Sequence, residues 1–327
     1  MRKISFSQAL NEAMSEEMRR DASVFLMGED VGLFNGVFGV SAGMFDEFGE
    51  ERVRDTPISE AAIVGGGLGA ALVGMRPIAE IMFADFVTVA MDQVVNQVAK
   101  ARSMSGGKAN VPLTIRLVNG APGSAAAQHS QSPEAWFMNV PGLKIVLPTT
   151  PYDAKGLLKT AIRGEDPVLF FEHKNLYAVT GDVPEEDYTV PFGQAAIRRE
   201  GTDATVIAIG GVSAIVAEAA ERLAESGISV EVIDPRTLVP FDTETLVNSV
   251  KKTHRAIIVY EAHRRAGPGA EIAAILAEEA IGYLDAPIQR IATKNVPFPY
   301  NPDLEQFILP TVEDVVAAVE GVVKYVL

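Results

Sequence analysis

Two residues of this chain have the type and setting for proton chemistry. One is Glu60, in Asp55-Thr56-Pro57-Ile58-Ser59-Glu60; the other is His129, in Ala125-Ala126-Ala127-Gln128-His129-Ser130-Gln131-Ser132-Pro133. A carboxyl held away from water keeps its proton more readily, and histidine titrates near neutrality, so both can serve as acid or base. Each also has a plainer reading. Most glutamates in a first helical turn only complement the helix dipole, and most loop histidines only satisfy nearby backbone groups. Context favours chemistry here. Pro57 disfavours helix at Thr56, so the chain enters a helix near Ser59 with Glu60 in its first turn. The helix that follows is almost wholly apolar or glycine, the pattern of a helix buried all round. It carries five glycines between positions 65 and 74, each costing about 1 kcal/mol against alanine. Ala62, Gly66, Ala70 and Gly74 fall on one stripe of small residues that lets another backbone approach closely. We therefore expect Glu60 to act in chemistry at a subunit interface.

His129 follows a strand over residues 111–118 and the loop Asn119-Gly120-Ala121-Pro122-Gly123-Ser124. Open α/β sheets bind their ligands at the carboxyl ends of strands, which singles out this histidine. His173, just beyond a strand over residues 167–172, ranks second; His254 and His263 are expected to make local hydrogen bonds.

The elements that must position these residues alternate regularly. A strand over residues 24–30 ends in an acidic turn, and a glycine-rich loop over 32–43 carries Phe34, Phe38 and Val40. So long a loop more often lines a site than merely connects. A strand over 76–83 leads through Asp85-Phe86 to a helix over 87–104, with apolar positions 87, 91, 94, 95 and 98, stopped by Gly106-Gly107. Strands over 143–148 and 167–172 flank a helix over 152–162. The repeat implies a mostly parallel sheet covered on both faces. An acidic, proline-containing stretch reads as a linker at 181–191, dividing a first domain (1–180) from a smaller α/β domain (192–327). Gly65-Gly66-Gly67 and Gly69 lie inside a helix and not at the turn before one, so they make a poor dinucleotide fingerprint.

Composition bounds the rest. A chain of 327 residues with 48% apolar content is globular and too long for one ordinary core. Its net charge of −15 argues against nucleic-acid and anionic-membrane partners, and the absence of cysteine excludes disulfides, thiolate metal sites and cysteine nucleophiles. The start lacks the apolar core of a secretory signal, and no apolar run is long enough for a bilayer; a cytoplasmic protein is the simplest expectation.

Taken together, Asp55-Thr56-Pro57-Ile58-Ser59-Glu60, Arg76-Pro77-Ile78-Ala79-Glu80, Ala127-Gln128-His129-Ser130-Gln131-Ser132, Pro151-Tyr152-Asp153-Ala154-Lys155-Gly156-Leu157 and Leu284-Asp285-Ala286-Pro287 resemble, in order and from end to end, the β subunit of the E1 component of 2-oxo acid dehydrogenase complexes. The resemblance implies an α/β chain with a pyrimidine-binding parallel-sheet domain and a transketolase-type C-terminal domain. It further implies thiamin diphosphate shared with an α subunit in an α2β2 tetramer. Magnesium would be held by the GDG...N motif of the α chain; here Gly181-Asp182 is followed by Val183 and Pro184, so this chain would be half a site. By the same resemblance Glu60 would hydrogen-bond N1′ of the aminopyrimidine, Ile58 and Phe86 would contact its ring, and His129 would stand near the reacting carbon and pass a proton during acyl transfer. Some family members carry a potassium site of main-chain carbonyls, whose counterparts would be Leu113, Ala161, Ile162, Gly164 and Asp166. The acidic balance would suit docking on the basic subunit-binding domain of the E2 acyltransferase, whose lipoyl domain takes the acyl group.

The motifs and the small residues before His129 suit pyruvate or acetoin better than a branched 2-oxo acid. A branched-chain E1 β subunit, a noncatalytic scaffold of the same fold and a nucleotide-dependent oxidoreductase remain as alternatives, because fold alone does not decide function.

Overall fold

Alternating apolar strands and amphipathic helices gather into two units in the computed structural model, which describes residues 1–325. The first unit holds Met1–Asn119 and Gln128–Phe192. Its strands are β1 (Arg2–Ser5), β2 (Val24–Gly28), β3 (Val53–Asp55), β4 (Arg76–Ile81), β5 (Thr114–Asn119), β6 (Lys144–Val146), β7 (Val168–His173) and β8 (Thr180–Val183). Its α-helices are α1 (Phe6–Arg20), α2 (Met44–Phe48), α3 (Glu60–Leu72), α4 (Ala101–Met104), α5 (Glu134–Met138) and α6 (Pro151–Arg163).

Within this unit the main sheet runs β6-β7-β5-β4-β2-β3, every pairing parallel. All residues of β5 and β7 are buried, as expected of central strands covered on both faces. Helix α1 begins with a capping box in which Ser5 and Gln8 satisfy each other's backbone N–H groups. Its Ala9, Leu10, Ala13 and Met14 stripe shares one core with Leu157, Leu158, Ala161 and Ile162 of α6. Strands β1 and β8 form a separate antiparallel pair, with Asp182 opposite Lys3.

One expectation needs correction, and another concerns a face that this chain leaves open. Helix α3 covers only one side within this chain. Ile63, Val64, Gly67, Leu68 and Ala71 face the core, while Ala62, Gly66, Gly69 and Leu72 are exposed. The small-residue stripe therefore faces outward, and an even spread of apolar residues cannot by itself say which face this chain covers. Residues 87–104 are not one α-helix. They form a 3₁₀ turn (Ala84–Ala90), a π-helix (Gln93–Val98) and α4. The apolar face was read correctly, since Val87, Val94 and Val98 are buried, but the pitch changes along it, and side-chain pattern does not encode hydrogen-bond pitch.

The second unit holds Gly120–Ala127 and the chain from Gly193 onward. Its strands are β9 (Ala196–Arg199), β10 (Ala204–Ile209), β11 (Val230–Asp234), β12 (Thr237–Val239), β13 (Ala256–His263) and β14 (Gln289–Thr293). Its α-helices are α7 (Ser213–Glu225), α8 (Thr243–Thr253), α9 (Pro268–Ala280), α10 (Pro302–Ile308) and α11 (Val312–Val323). The sheet runs β14-β13-β10-β11-β9, parallel except for β9. Val206, Val232, Ile257 and Val259 form one core with Val216 and Leu223 of α7 and Val315 and Val319 of α11. The 120–127 segment is tied into this unit by carboxylates. Glu261 Oε1 accepts from Ala121 N at 2.6 Å, and Glu305 Oε2 accepts from Gly123 N at 3.1 Å and Ser124 N at 2.9 Å.

Candidate functional site

Strands β2 and β3 lie side by side with Gly28 opposite Asp55, so the chain segments leaving them emerge together at the sheet's carboxyl edge. Glu29 comes directly off β2, and Glu60 opens α3 a short turn beyond β3. They are 8% and 7% exposed, two carboxyl groups withdrawn from water in one region. Burial, then the negative charges of Glu60 and Asp30, pushes the Glu29 carboxyl above the usual range. Glu29 Oε1 has no hydrogen-bond partner among the described residues. Such a buried, unsatisfied oxygen costs about 1–3 kcal/mol, and a ligand that donates to it removes that cost. Asp55 fastens the glycine-rich loop to this edge, accepting from Gly32 N at 2.6 Å and Leu33 N at 3.2 Å. A side chain at position 32 would meet Asp55 Oδ2 at 2.9 Å, which requires glycine there.

His129 sits among aromatic rings. Its imidazole makes edge contacts with Phe83 at 4.7 Å and Phe86 at 5.2 Å between centroids, and Phe83 in turn touches Phe38 of the glycine-rich loop at 5.5 Å. Lys174 Nζ donates to the His129 carbonyl at 3.0 Å. The buried Asp85 carboxylate accepts from Gln131 through its side chain at 2.7 Å and its backbone at 3.3 Å.

Beneath these loops a closed charge cluster crosses the sheet. Arg116 donates to Glu172 from Nε at 2.6 Å and from Nη2 at 2.7 Å, and from Nη1 to Glu80, while Tyr177 donates its hydroxyl to Glu172 at 2.8 Å. Burial alone would lower the Arg116 pKa, but the two carboxylates outweigh it and hold the guanidinium charged. Burial raises the Glu80 carboxyl and, aided by Glu172, the Tyr177 phenol.

Of the residues singled out by sequence, the structure brings His129 and Phe86 into contact and buries Glu60 beside Glu29. Ile58 is 86% exposed, so nothing in this chain covers it. His173 is buried at the end of β7, where Nδ1 accepts from Asn175 N at 3.4 Å and caps the following turn. His254 and His263 bond the carbonyls of Tyr283 and Lys294 at 2.9 and 3.0 Å, as anticipated. Sequence reasoning passed over Glu29, Asp85 and Gln131. The available signal was an acid directly beyond one buried strand and another in the turn that follows a second.

The residues fit one half of a cofactor site. A buried carboxyl at Glu60, an unsatisfied Glu29 oxygen and the Phe86 ring suit a flat heterocycle bearing ring nitrogens and an amino group. A metal fits less well. No group of three acidic or histidine side chains among the described residues could hold one, and Gly181-Asp182 lies within the β1–β8 pairing. At the carbonyls expected to hold potassium, Arg76 Nη1 donates to the Ile162 carbonyl at 3.1 Å and the Gly164 carbonyl at 2.7 Å. Leu113 O accepts from Val168 N at 3.0 Å, Ala161 O from Gly164 N at 3.2 Å, and Asp166 pairs with Arg102 and Lys144. A guanidinium already brings positive charge to two of these carbonyls, and a potassium ion beside it would meet like charge.

A parallel sheet with carboxyl groups at its strand ends and a second α/β unit defines a transketolase-like protein. Residues 2–180 match the pyrimidine-binding domain of transketolase, and residues 193–315 match its C-terminal domain. A solved chain titled "Split gene transketolase, inactive beta4 tetramer" shares the fold, with a TM-score of 0.82 at 24% identity and 98% of each chain covered. Full-length relatives narrow the assignment. The β subunit of acetoin:2,6-dichlorophenolindophenol oxidoreductase from Bacillus subtilis (strain 168) is 49% identical, covering 97% of this chain and 96% of the relative. The 2-oxoisovalerate dehydrogenase β subunit of the same organism is 47% identical (98% and 99%), and the pyruvate dehydrogenase E1 β subunit of Rickettsia felis (strain ATCC VR-1525 / URRWXCal2) is 46% identical (98% and 99%). The chain belongs to this family of E1 β subunits of thiamin diphosphate-dependent dehydrogenases.

Proposed function

We propose that this chain supplies the pyrimidine half of a thiamin diphosphate site and, with an α subunit, cleaves pyruvate or acetoin and passes the acyl group to lipoamide on an acyltransferase. The observation that carries the reading is the buried Glu60 at the start of α3, with Glu29 beside it holding an unsatisfied oxygen. Thiamin diphosphate would supply a nucleophilic carbon that adds to the substrate carbonyl and a cationic ring that accepts the electrons when the adjacent bond breaks. The chain's own residues would prepare that chemistry. Glu60 would hydrogen-bond ring N1′, with the low dielectric around it strengthening the bond. Phe86 and Ile58 would contact the ring, and His129 would pass a proton during acyl transfer.

An α subunit would cover what this chain leaves open. Leu33, Phe34 and Val37 are exposed on the loop that Asp55 fastens, and Ile58 is exposed just beyond Asp55, an apolar surface that suits a partner chain. Magnesium and the diphosphate fall to the partner's residues. The net charge of −15 supports docking on a basic domain of the acyltransferase.

The test is reconstitution with an α chain, thiamin diphosphate and magnesium, assayed on pyruvate, acetoin and branched 2-oxo acids. Glu60→Gln is expected to lower turnover by at least about 100-fold in an assembled tetramer. Full activity in that variant removes the reading, and a preference for branched substrates moves it to the branched-chain enzymes, as the 47% identical 2-oxoisovalerate relative allows.

A further inference from the structure

We infer that Asp85 and Gln131 form a positioning clamp that holds the His129 imidazole in place. The inference rests on the reading of His129 as the proton carrier of acyl transfer. The restraints described on His129 come from three places distant in sequence or beyond its own neighbours. Phe83 and Phe86, on either side of Asp85, meet the ring edge-on. Lys174 holds its carbonyl. Gln131, two residues further on, donates twice to Asp85 Oδ1, locking the turn that carries His129 onto the segment that carries the two phenylalanines.

A carboxylate that is 5% exposed needs a reason to stay ionised. Burial raises the Asp85 carboxyl, while the Gln131 bonds and the charge of His129 oppose that rise. The other charged group described at His129 is Lys174, whose ammonium engages the main chain. An imidazole positioned in this way suits proton delivery in the reduction of a lipoyl disulfide. The S–S bond breaks as one sulfur bonds to the acyl carbon, which supplies the electron pair, and the other sulfur takes the proton from His129.

The test uses the assembled α2β2 enzyme with β chains labelled at histidine ¹³Cε1. The chain has four histidines, and His129→Asn identifies the relevant signal. Asp85→Asn removes the charge that strengthens the two Gln131 bonds and is expected to move and broaden the His129 ¹³Cε1 signal, as a ring released from a single orientation would. It is also expected to lower acylation of a lipoyl domain about tenfold more than reduction of 2,6-dichlorophenolindophenol, which bypasses the lipoyl group. Gln131→Ala keeps the carboxylate but frees it, and about a threefold selective loss is expected; it carries the same test if Asp85→Asn does not assemble. An unmoved His129 signal, or equal loss of both rates, overturns the clamp. Full acylation by His129→Asn overturns the role of His129 instead, and the His129 signal then judges the clamp alone.

Discussion

The same sheet buries acidic groups in two ways. In the Arg116 cluster each carboxylate has its partner: Glu172 takes a two-pronged bond from the guanidinium and a phenol proton, and Glu80 takes the remaining arm. In the Glu29 and Glu60 pair one buried acid raises the carboxyl of the other, and Glu29 Oε1 has no donor among the described residues. Closed charge networks of the first kind hold a fold, whereas an open one of the second kind is costly until something binds. Burial alone would not have told them apart.

The sharpest way to break this contrast is to open the closed cluster. Arg116→Met strands two buried carboxylates and is expected to cost about 3–5 kcal/mol, seen as a large fall in the denaturant midpoint. Replacing Arg116, Glu80 and Glu172 together with apolar residues of similar volume should recover most of that loss. Glu60→Gln should do the opposite, removing about 3 kcal/mol or more of transition-state stabilisation while leaving the unfolding midpoint close to that of the parent. Equal damage to folding from both substitutions would erase the distinction between the two regions.

Glu29 offers a finer test through pH. A carboxyl raised in the folded chain makes no difference where both states are protonated, and it weighs on folding as pH rises past the unfolded value of about 4.3. Glu29→Gln should therefore melt higher than the parent at neutral pH, with the gap closing as pH falls below about 4. A gap that widens in acid would mean Glu29 is paired after all. The smallest effect concerns the surface. Association with a basic acyltransferase domain should weaken as salt rises, and an affinity that holds from low to high salt would remove the electrostatic part of that proposal.

Pro57 and Ser59 mark the entry into α3 and place Glu60 in its first turn, because a proline restrains its own dihedral and that of the residue before it. Apolar runs announced the strands, and the acidic residues just past two of them were in plain view. What they would meet was not. Glu29 and Glu60 come from separate loops that only the β2–β3 pairing makes neighbours, and Asp85 meets Gln131 across a similar gap in the chain. Arg116 shows the same limit: a lone cation in a strand reads as solvent-facing, yet it is fully buried because β4 and β7 each bring it a carboxylate. The sequence by itself determined the alternation of elements, the helix that starts at Glu60 and the chemical types available. Tertiary structure alone decided which charges are neutralised and which are left open, because pairing energies act over a few ångströms and those distances are set by sheet order and not by position along the chain.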